Sequence, residues 1–399
     1  MPLSNTGTRY GGVAKTFHWL TALLILTLIP VALIANRLPY ETGEQLTTKA
    51  WLFSLHKTLG VTVFFVALLR ILWAITQPKP ALLNADHKIE SWAAETAHWL
   101  LYGSLVLAPM SGWIHHAATS GFAPIWWPLG QGLPLVPKSG TLAAITAGLH
   151  SVFTKVMVIT ILAHIGGALK HHVIDKDATL RRMLPGHPAL PSLDAPHHST
   201  APLISALVIW AAALGLGGAL GVYHAHGAAP VALVLEDVAS DWTVEDGSIA
   251  IKVTQFGTVV EGSFADWTAT ISFDETTQTG KAGTVEATIS IPSLILGSVT
   301  SQALGADFFD ATTFPTAVFA GDIMHASDGF EAVGTLTIRD KSIPLILPFA
   351  LTITESNADM LGRVTLDRRD FSIGDNMADE SSLAFAVNVV IALTATQAQ

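Results

Sequence analysis

Five apolar runs, each close to the length of a bilayer-spanning helix, occupy the first 230 residues of this 399-residue chain. A helix needs about 20 consecutive apolar residues to cross a bilayer. The runs cover about residues 17–35, 51–76, 92–114, 142–170 and 202–223, and shorter alternating segments replace them afterwards. We therefore expect a helical membrane part, followed by a part that folds outside the membrane.

Charge and histidine content divide at the same point of the chain. Residues 1–229 carry a net charge of +6, whereas residues 230–399 carry a net charge of −16. Fifteen of the 16 histidines precede residue 230, so chemistry that uses imidazole belongs to the membrane part. The acidic second part would repel phosphates, which argues against a nucleic-acid partner.

The chain contains no cysteine. Disulfide bonds, thiolate-bound iron–sulfur clusters and thioether-attached haem are therefore excluded. Arg9 and Lys15 precede the first apolar run and no obvious cleavage site follows it, so we expect this run to remain as a helix.

Lysine and arginine residues in the connecting segments orient the predicted helices. One side carries Arg9, Lys15, Lys79, Lys88, Lys170, Lys176, Arg181 and Arg182, and the other carries Arg37, Lys49 and Lys138. Cytoplasmic loops hold the excess of positive charge. We expect a cytoplasmic N-terminus, four up-and-down helices, and a fifth helix that leads to a periplasmic C-terminal part in a bacterial inner membrane.

Four histidines lie within the predicted helices at two depths. His150 and His164 are 14 residues apart on the fourth helix, a rise of about 21 Å that returns to nearly the same face. Antiparallel helices place His56 at the depth of His150, and His18 at the depth of His164. Two imidazole pairs between helices suit two haem irons with axial histidine ligands.

Zinc binding and proton transfer are alternative roles for these imidazoles. Zinc ligands must converge on one point, which the separation of His150 and His164 forbids. A proton relay would interleave carboxylates, and the apolar runs of helices one, two and four contain none. For a single intramembrane histidine, a packing or hydrogen-bonding role remains the alternative.

Three further polar residues lie in these helices. His98 opens the third helix without a depth partner, and we expect it at the membrane interface rather than on a metal. Arg70 and Lys155 are costly inside a membrane, and either a haem propionate or snorkelling to the interface would relieve that cost.

Four stretches of the membrane part carry a family pattern: FHWL at 17–20, LHKTLG at 55–60, LLRILWAITQPKP at 68–80 and ALKHHVIDKDATLRRMLPG at 168–186. Together with the His150/His164 helix they resemble bacterial cytochrome b561 over residues 9–186. The resemblance implies a four-helix, dihaem b-type cytochrome that exchanges electrons with the quinone pool. It also implies that His18, His56, His150 and His164 are the haem ligands.

Some members of the family are similar to superoxide oxidases, which pass an electron from superoxide to ubiquinone. A fifth helix departs from this pattern and looks like a tether.

Beyond residue 230 the hydrophobic pattern has a period of two, as in SIAIKVTQ at 248–255, FEAVGTLTI at 330–338 and GRVTLDRRDFSI at 362–373. Turn residues separate such segments, including DG at 246–247 and at 328–329. This pattern predicts an all-β antiparallel barrel or sandwich. No catalytic set is evident, so we expect this part to bind rather than to catalyse.

Five stretches of this second part, SDWTVE, VEGSFADWTATISFD, ADFFDATTFPTAVF, GTLTIRDKSIPLILPF and RDFSIG, resemble YceI-like domains over about residues 235–395. The resemblance implies a lipocalin-like barrel that encloses a polyisoprenoid chain, including the tail of ubiquinone. GSVTSQALG at 297–305 departs from the family in lacking charged and histidine residues. The candidates for lining or covering the cavity are Phe308, Phe309, Phe314 and Phe319, and ordinary core packing is the alternative.

The sequence thus predicts an all-α transmembrane four-helix bundle plus one tether helix, followed by an all-β antiparallel lipocalin-like barrel. The ranges are 9–186 for the dihaem domain, 187–229 for a cytoplasmic linker and the fifth helix, and 230–399 for the periplasmic barrel.

The first hypothesis for the function is electron transfer between two haem b groups and the quinone pool, with ubiquinone or a related polyisoprenoid in the barrel. Superoxide or a periplasmic redox protein is the candidate electron donor. Alternatives are an isoprenoid lipid carrier anchored by a cytochrome, or a cytochrome subunit for a periplasmic dehydrogenase. Catalytic residues, electron direction and oligomeric state stay open, as does the question of whether the chain is an enzyme.

Overall fold

A computed structural model describes residues 2–83, 86–119, 121, 123–128, 130–186, 188, 199–224, 235 and 240–397. The chain divides into two compact units. The first comprises Met1–Arg37, Leu52–Ala118 and Ile125–His226, and the second comprises Leu38–Trp51, Thr119–Pro124 and Gly227–Gln399. Residues 187, 189–198 and 225–229 of the predicted linker lie outside the described residues.

Five long helices follow the five apolar runs of the sequence. They are α1 (Gly12–Arg37), α2 (Gly43–Ile75), α3 (Lys88–Ala118), α4 (Gly140–Val173) and α5 (Ala201–Ala219). Among the described helices, α1, α2, α4 and α5 are long and apolar enough to cross a membrane. Helix α3 has 31 residues and is more polar, with Glu90 in its first turn and His115 and His116 in its last.

Ser139 sets the start of α4, the helix that carries two of the predicted ligands. Its backbone is extended, and its side-chain oxygen accepts a hydrogen bond from the Leu142 N–H at 3.3 Å. Such an N-cap satisfies one of the backbone donors that a helix start leaves free. Lys170 lies in the last turn, where positive charge interacts favourably with the helix dipole.

Apolar side chains hold the helices of the first unit together. Ile25 and Leu28 of α1 belong to one buried cluster with Val63 and Ala67 of α2 and Leu105 of α3. Their three- and four-residue spacings put each set on one helix face.

Helix α5 packs onto its neighbours as well as connecting the two parts of the chain. Its Trp210 is in a buried cluster with Leu100 of α3 and Phe153 of α4, and the Trp210 and Phe153 ring centres are 5.1 Å apart. The predicted tether helix therefore also contributes buried side chains to the first unit.

Ten antiparallel strands form one sheet in the second unit. They are β1 (Trp242–Gln255), β2 (Thr258–Phe264), β3 (Trp267–Phe273), β4 (Lys281–Ser290), β5 (Leu294–Ile295), β6 (Thr316–His325), β7 (Phe330–Ile338), β8 (Lys341–Thr354), β9 (Asn357–Asp367) and β10 (Leu383–Gln397). A short helix, α6 (Thr300–Ala303), lies between β5 and β6. The strand order is β3-β4-β6-β7-β8-β9-β10-β1-β2-β5.

Strand β3 is at one end of this strand order and β2 is next to the other end. These two strands must lie close together, because only Ala265 and Asp266 connect them. This short link curls the sheet. The concave face of the sheet holds the main apolar cluster of the second unit. Ile249 and Ile251 of β1 are two residues apart and both are buried in this cluster, as the two-residue period of a strand requires. The curled antiparallel sheet confirms the predicted lipocalin-like fold.

Two local predictions in the second unit are wrong. The DG pair at 246–247 was expected to form a turn, but it lies inside β1, where the pairing with β10 shifts register between Val244 and Asp246. The segment 362–373 was expected to be one strand, but β9 ends at Asp367 and a short 3₁₀ helix, Arg368–Phe371, follows. Local pattern missed this helix because its position depends on hydrogen bonds that Arg368 donates to the carbonyl oxygens of Leu383 and Ala384, at the start of β10.

Candidate functional site

The structure brings the four predicted ligand histidines together in two pairs. The ring centres of His18 on α1 and His164 on α4 are 6.2 Å apart. Those of His56 on α2 and His150 on α4 are 6.5 Å apart. These are the partners that helix depth predicted, and the 14-residue spacing along α4 separates the pairs by about 21 Å of helix rise.

The separation of the ring centres in each pair would allow the two imidazoles to hold one iron between them. Metal–nitrogen bonds of about 2.0–2.1 Å, with each ring centre about 1.1 Å beyond its nitrogen, give a separation of roughly 6.3 Å. The four rings are half-buried, so each has surface left for contact with a cofactor. The residues present therefore fit a haem at each pair.

Backbone carbonyl groups orient the rings of the second pair. His150 Nδ1 lies 2.7 Å from the Ala108 carbonyl oxygen, and His56 Nδ1 lies 3.1 Å from that of Leu28. With Nδ1–H donating to these oxygens, Nε2 is the nitrogen available to a metal.

His98 was expected at the membrane interface, without a partner at its depth. Its ring centre is 5.3 Å from that of His164, although no partner was found for it from depth. Lys170 of α4 pairs with Glu90 of α3 at 2.7 Å, so the start of α3 meets the end of α4. Along the sequence, His98 is about as far from the start of α3 as His164 is from the end of α4. This match could have indicated that the two residues lie close together.

The two intramembrane cations differ in their surroundings. The Arg70 guanidinium lies 5.4 Å from the centre of the Tyr102 ring, an attractive cation–π geometry. Lys155 is exposed on α4. A role for either cation beside a haem propionate stays a prediction.

The concave face of the sheet encloses a cavity of about 280 Å³. A single water molecule needs about 10–15 Å³ by the same measure, so the space suits a much larger guest. Its walls are mainly aliphatic and aromatic side chains, several of them small, including Ala269, Ala317 and Ala332.

Three of the four predicted phenylalanines line this cavity, namely Phe308, Phe309 and Phe319. Phe314 is not among the described residues that line it, and its ring centre lies 5.7 Å from the Arg339 guanidinium. That any of these rings contacts a lipid stays a prediction. Sequence analysis missed Gln255, Gln302 and Arg368, three polar residues that also line the cavity.

His325, the one histidine after residue 230, makes contacts that support the fold. Its Nε2 lies 2.8 Å from the Thr277 carbonyl oxygen, and its ring centre is 4.7 Å from that of Phe330. These contacts hold the β6–β7 end in place.

Comparison with solved structures gives distant matches to the second unit. BcnA of Burkholderia cenocepacia is 27% identical, with 38% of this chain and 96% of that chain covered and a TM-score of 0.36. A YceI protein of Campylobacter jejuni is 21% identical, with 35% and 85% covered and a TM-score of 0.31.

Sequence comparison assigns both parts of the chain. The family model of prokaryotic cytochrome b561 matches residues 9–186, and that of the YceI-like domain matches residues 242–395. Cytochrome b561 homolog 2 of Escherichia coli is 31% identical over 188 residues, which are 46% of this chain and 95% of that protein. The probable superoxide oxidase CybB of Yersinia pestis is 24% identical over 178 residues, 44% of this chain and 96% of that protein. The chain belongs to the prokaryotic cytochrome b561 family, a family of haem-binding electron-transport proteins, and carries a YceI-like domain after its membrane helices.

Proposed function

We propose that this protein is a membrane dihaem b-type cytochrome that exchanges electrons with the quinone pool, and that its barrel binds the quinone or another polyisoprenoid. The observation that carries the proposal is the distance between the imidazole ring centres in each pair. It is 6.2 Å for His18 and His164 and 6.5 Å for His56 and His150. At each separation the two imidazoles would hold one haem iron.

In this proposal each imidazole pair would hold one haem b. Haem b supplies reversible one-electron transfer when bound. The carbonyl groups of Leu28 and Ala108 fix the orientation of His56 and His150. Apolar side chains such as Ile25 and Val63 limit the access of water, which influences the haem potential.

The apolar cavity supports the quinone part of the proposal. A polyisoprenoid tail is a flexible hydrocarbon, and about 280 Å³ of space lined mainly by carbon can accept one. The same cavity favours a second candidate function, in which the barrel stores or delivers an isoprenoid lipid and the cytochrome part serves as its membrane anchor.

We further propose superoxide as the electron donor, on the basis of the similarity to the probable superoxide oxidase of Yersinia pestis. Two superoxide ions would each lose one electron and leave as O₂. One quinone would gain these two electrons and two protons and become a quinol.

The proposed location is the bacterial inner membrane, with a cytoplasmic N-terminus and a periplasmic barrel. The supporting observation is the excess of lysine and arginine in the segments at the N-terminus, at 77–90 and at 170–200. Protease accessibility of the barrel in spheroplasts would test this orientation.

An optically followed redox titration of the purified chain, with and without added quinol, tests the main proposal. We expect two b-type transitions, both of them reduced when quinol is added. A pulse of superoxide should also reduce the haem rapidly. A single transition would contradict the dihaem assignment, whereas two transitions that never respond to quinol would favour the lipid-carrier function. Absence of any reduction by superoxide would remove superoxide as the donor.

A further inference from the structure

The barrel cavity has a small number of polar side chains in an otherwise apolar wall. Of the described residues that line it, Gln255, Gln302 and Arg368 carry amide or guanidinium groups, and Trp242 and Trp267 carry an indole N–H. The remaining lining residues are aliphatic, phenylalanine or methionine. Polar groups placed singly in an apolar pocket normally fix the orientation of a ligand.

Both glutamine side chains have an atom without a hydrogen-bond partner. Gln255 Oε1 and Gln302 Nε2 are inaccessible to solvent and neither is hydrogen-bonded. Gln255 as a whole is only 5% exposed. A buried polar atom without a partner is unfavourable, so native structures rarely keep one that no ligand or water satisfies.

Gln255 and Arg368 lie at the same end of the barrel. Gln255 is the last residue of β1 and pairs with Leu383, the first residue of β10. Arg368 Nη2 donates a hydrogen bond to the Leu383 carbonyl oxygen at 3.2 Å. Trp242 is at the opposite end of β1, roughly 40 Å away along the strand.

Gln302 belongs to this end as well. It is in α6, and the turn that follows reaches Asp307, whose carbonyl oxygen accepts a hydrogen bond from the Gly374 N–H at 2.8 Å. The Gly374 carbonyl oxygen in turn accepts a hydrogen bond from Arg368 Nη1 at 2.6 Å. Two amides, each with one unpartnered atom, therefore lie at one end of an apolar cavity.

The Arg368 guanidinium has no N–H group left for an anionic ligand. Its five N–H groups donate to five backbone carbonyl oxygens, those of Ala384, Ile373, Gly374, Met377 and Leu383. A phosphate head would require charge-assisted donors, and this end of the cavity offers two neutral amides instead.

We propose that Gln255 and Gln302 bind a neutral, hydroxyl-bearing head group of a polyisoprenoid, such as a quinol, a prenylphenol or a prenol, and select against phosphorylated isoprenoids. In the orientation that the structure gives the amides, Gln302 Nε2 donates to an oxygen of the head and Gln255 Oε1 accepts from its hydroxyl group. The inference rests on the proposed binding of a polyisoprenoid by the barrel and specifies which chemical class it takes.

Four probes of equal chain length test this selection on the full-length protein in detergent: geranylgeraniol, its methyl ether, geranylgeranyl diphosphate and the parent hydrocarbon. Binding is measured by competition against a fluorescent fatty-chain probe. We expect the alcohol to bind best and the ether about fivefold more weakly, which corresponds to one hydrogen bond of ~1 kcal/mol. The diphosphate should bind more weakly than the alcohol.

Two variants assign the two hydrogen bonds. Gln255→Leu should remove the preference for the alcohol over the ether, because it removes the acceptor for the hydroxyl group. Gln302→Leu should weaken the alcohol and the ether alike. The parent hydrocarbon should bind both variants as it binds the unmodified chain, which shows that the barrel is intact.

The outcomes separate this inference from the proposed function. Equal binding of all four probes, or strongest binding of the diphosphate, would overturn the head-group inference and leave polyisoprenoid binding in place. Failure of every probe, including the hydrocarbon, to bind would overturn the proposed role of the barrel and the inference with it.

Discussion

Gly112 of α3 lies directly against the imidazole of His150 on α4. A Cβ atom at position 112 would come within 2.9 Å of His150 Nδ1 and within 3.1 Å of its Cε1. The same ring is held from another direction by the Ala108 carbonyl oxygen, 2.7 Å from Nδ1. The hydrogen atom that serves as the side chain of Gly112 therefore leaves the space in which this ring stands.

Replacement of Gly112 by valine should displace the His150 ring and remove one b-type haem signal, while the other signal remains. The added methyl groups cannot fit without moving the ring, because the contact is already shorter than van der Waals distance. Haem content and reduced-minus-oxidised spectra of the purified protein measure the effect. Gly166→Val, on α4 with nothing within 4 Å of its added Cβ, is the matched control and should keep both signals. Two unchanged signals in the Gly112 variant would show that His150 needs no such space.

Single replacement of each paired histidine should separate the two haem signals. His56→Ala and His150→Ala should lose one and the same signal, whereas His18→Ala and His164→Ala should lose the other, because each pair shares one proposed iron. His98→Ala is the informative comparison, since its ring lies beside His164 and outside both pairs. We expect it to shift the potential of the His18/His164 signal and leave both haems bound. If His98→Ala abolishes a signal and His18→Ala does not, the pairing on this side is His98 with His164.

Helical periodicity was sufficient to find the two histidine pairs. Residues 14 apart share a helix face, and alternating helix direction fixes their depths, so the partners of His150 and His164 follow without tertiary information. The period-two pattern likewise predicted an antiparallel barrel or sandwich, because inward and outward residues alternate along a strand.

Packing details were outside the reach of those patterns. An apolar helix such as α5 has the same composition whether its Trp210 faces lipid or packs against Phe153, as it does. Gln302 of α6 is likewise one polar residue among many in the sequence, and only the folded structure shows that it lines the cavity. Hydrogen bonds between distant segments decide such positions, and no local period encodes them.

Arg368 should be the residue on which the loop 371–383 of the barrel depends most. Arg368→Met leaves five backbone carbonyl oxygens without their donors in a region where the arginine is 4% exposed. Burial lowers the pKa of Arg368 from its usual value, but its side chain stays charged at neutral pH. We expect a loss of about 3–5 kcal/mol of folding free energy and a barrel melting temperature lower by roughly 10 °C.

Thermal unfolding of the full chain, followed by the infrared signal of the β-sheet, measures this loss. Arg363→Met on β9 is the matched control, because Arg363 is exposed and its change should stay within about 0.5 kcal/mol. Equal melting temperatures for the two variants would mean that the carbonyl contacts of Arg368 contribute nothing net to stability.

Filling the cavity should abolish lipid binding without removing the sheet. Ala332 and Val333 are neighbours on β7 that point to opposite faces: Ala332 is 3% exposed and lines the cavity, whereas Val333 is 41% exposed. Ala332→Phe places an aromatic ring in the space proposed for an isoprenoid tail, and Val333→Phe places the same ring outside. Lipid extracted from each purified full-length variant, identified by mass spectrometry, should be absent from the first and present in the second. Because the two variants add their rings at adjacent positions of one strand, a general effect of a bulky residue on folding would lower the bound lipid in both. Retention of isoprenoid lipid by Ala332→Phe would show that the ligand lies elsewhere than in this cavity.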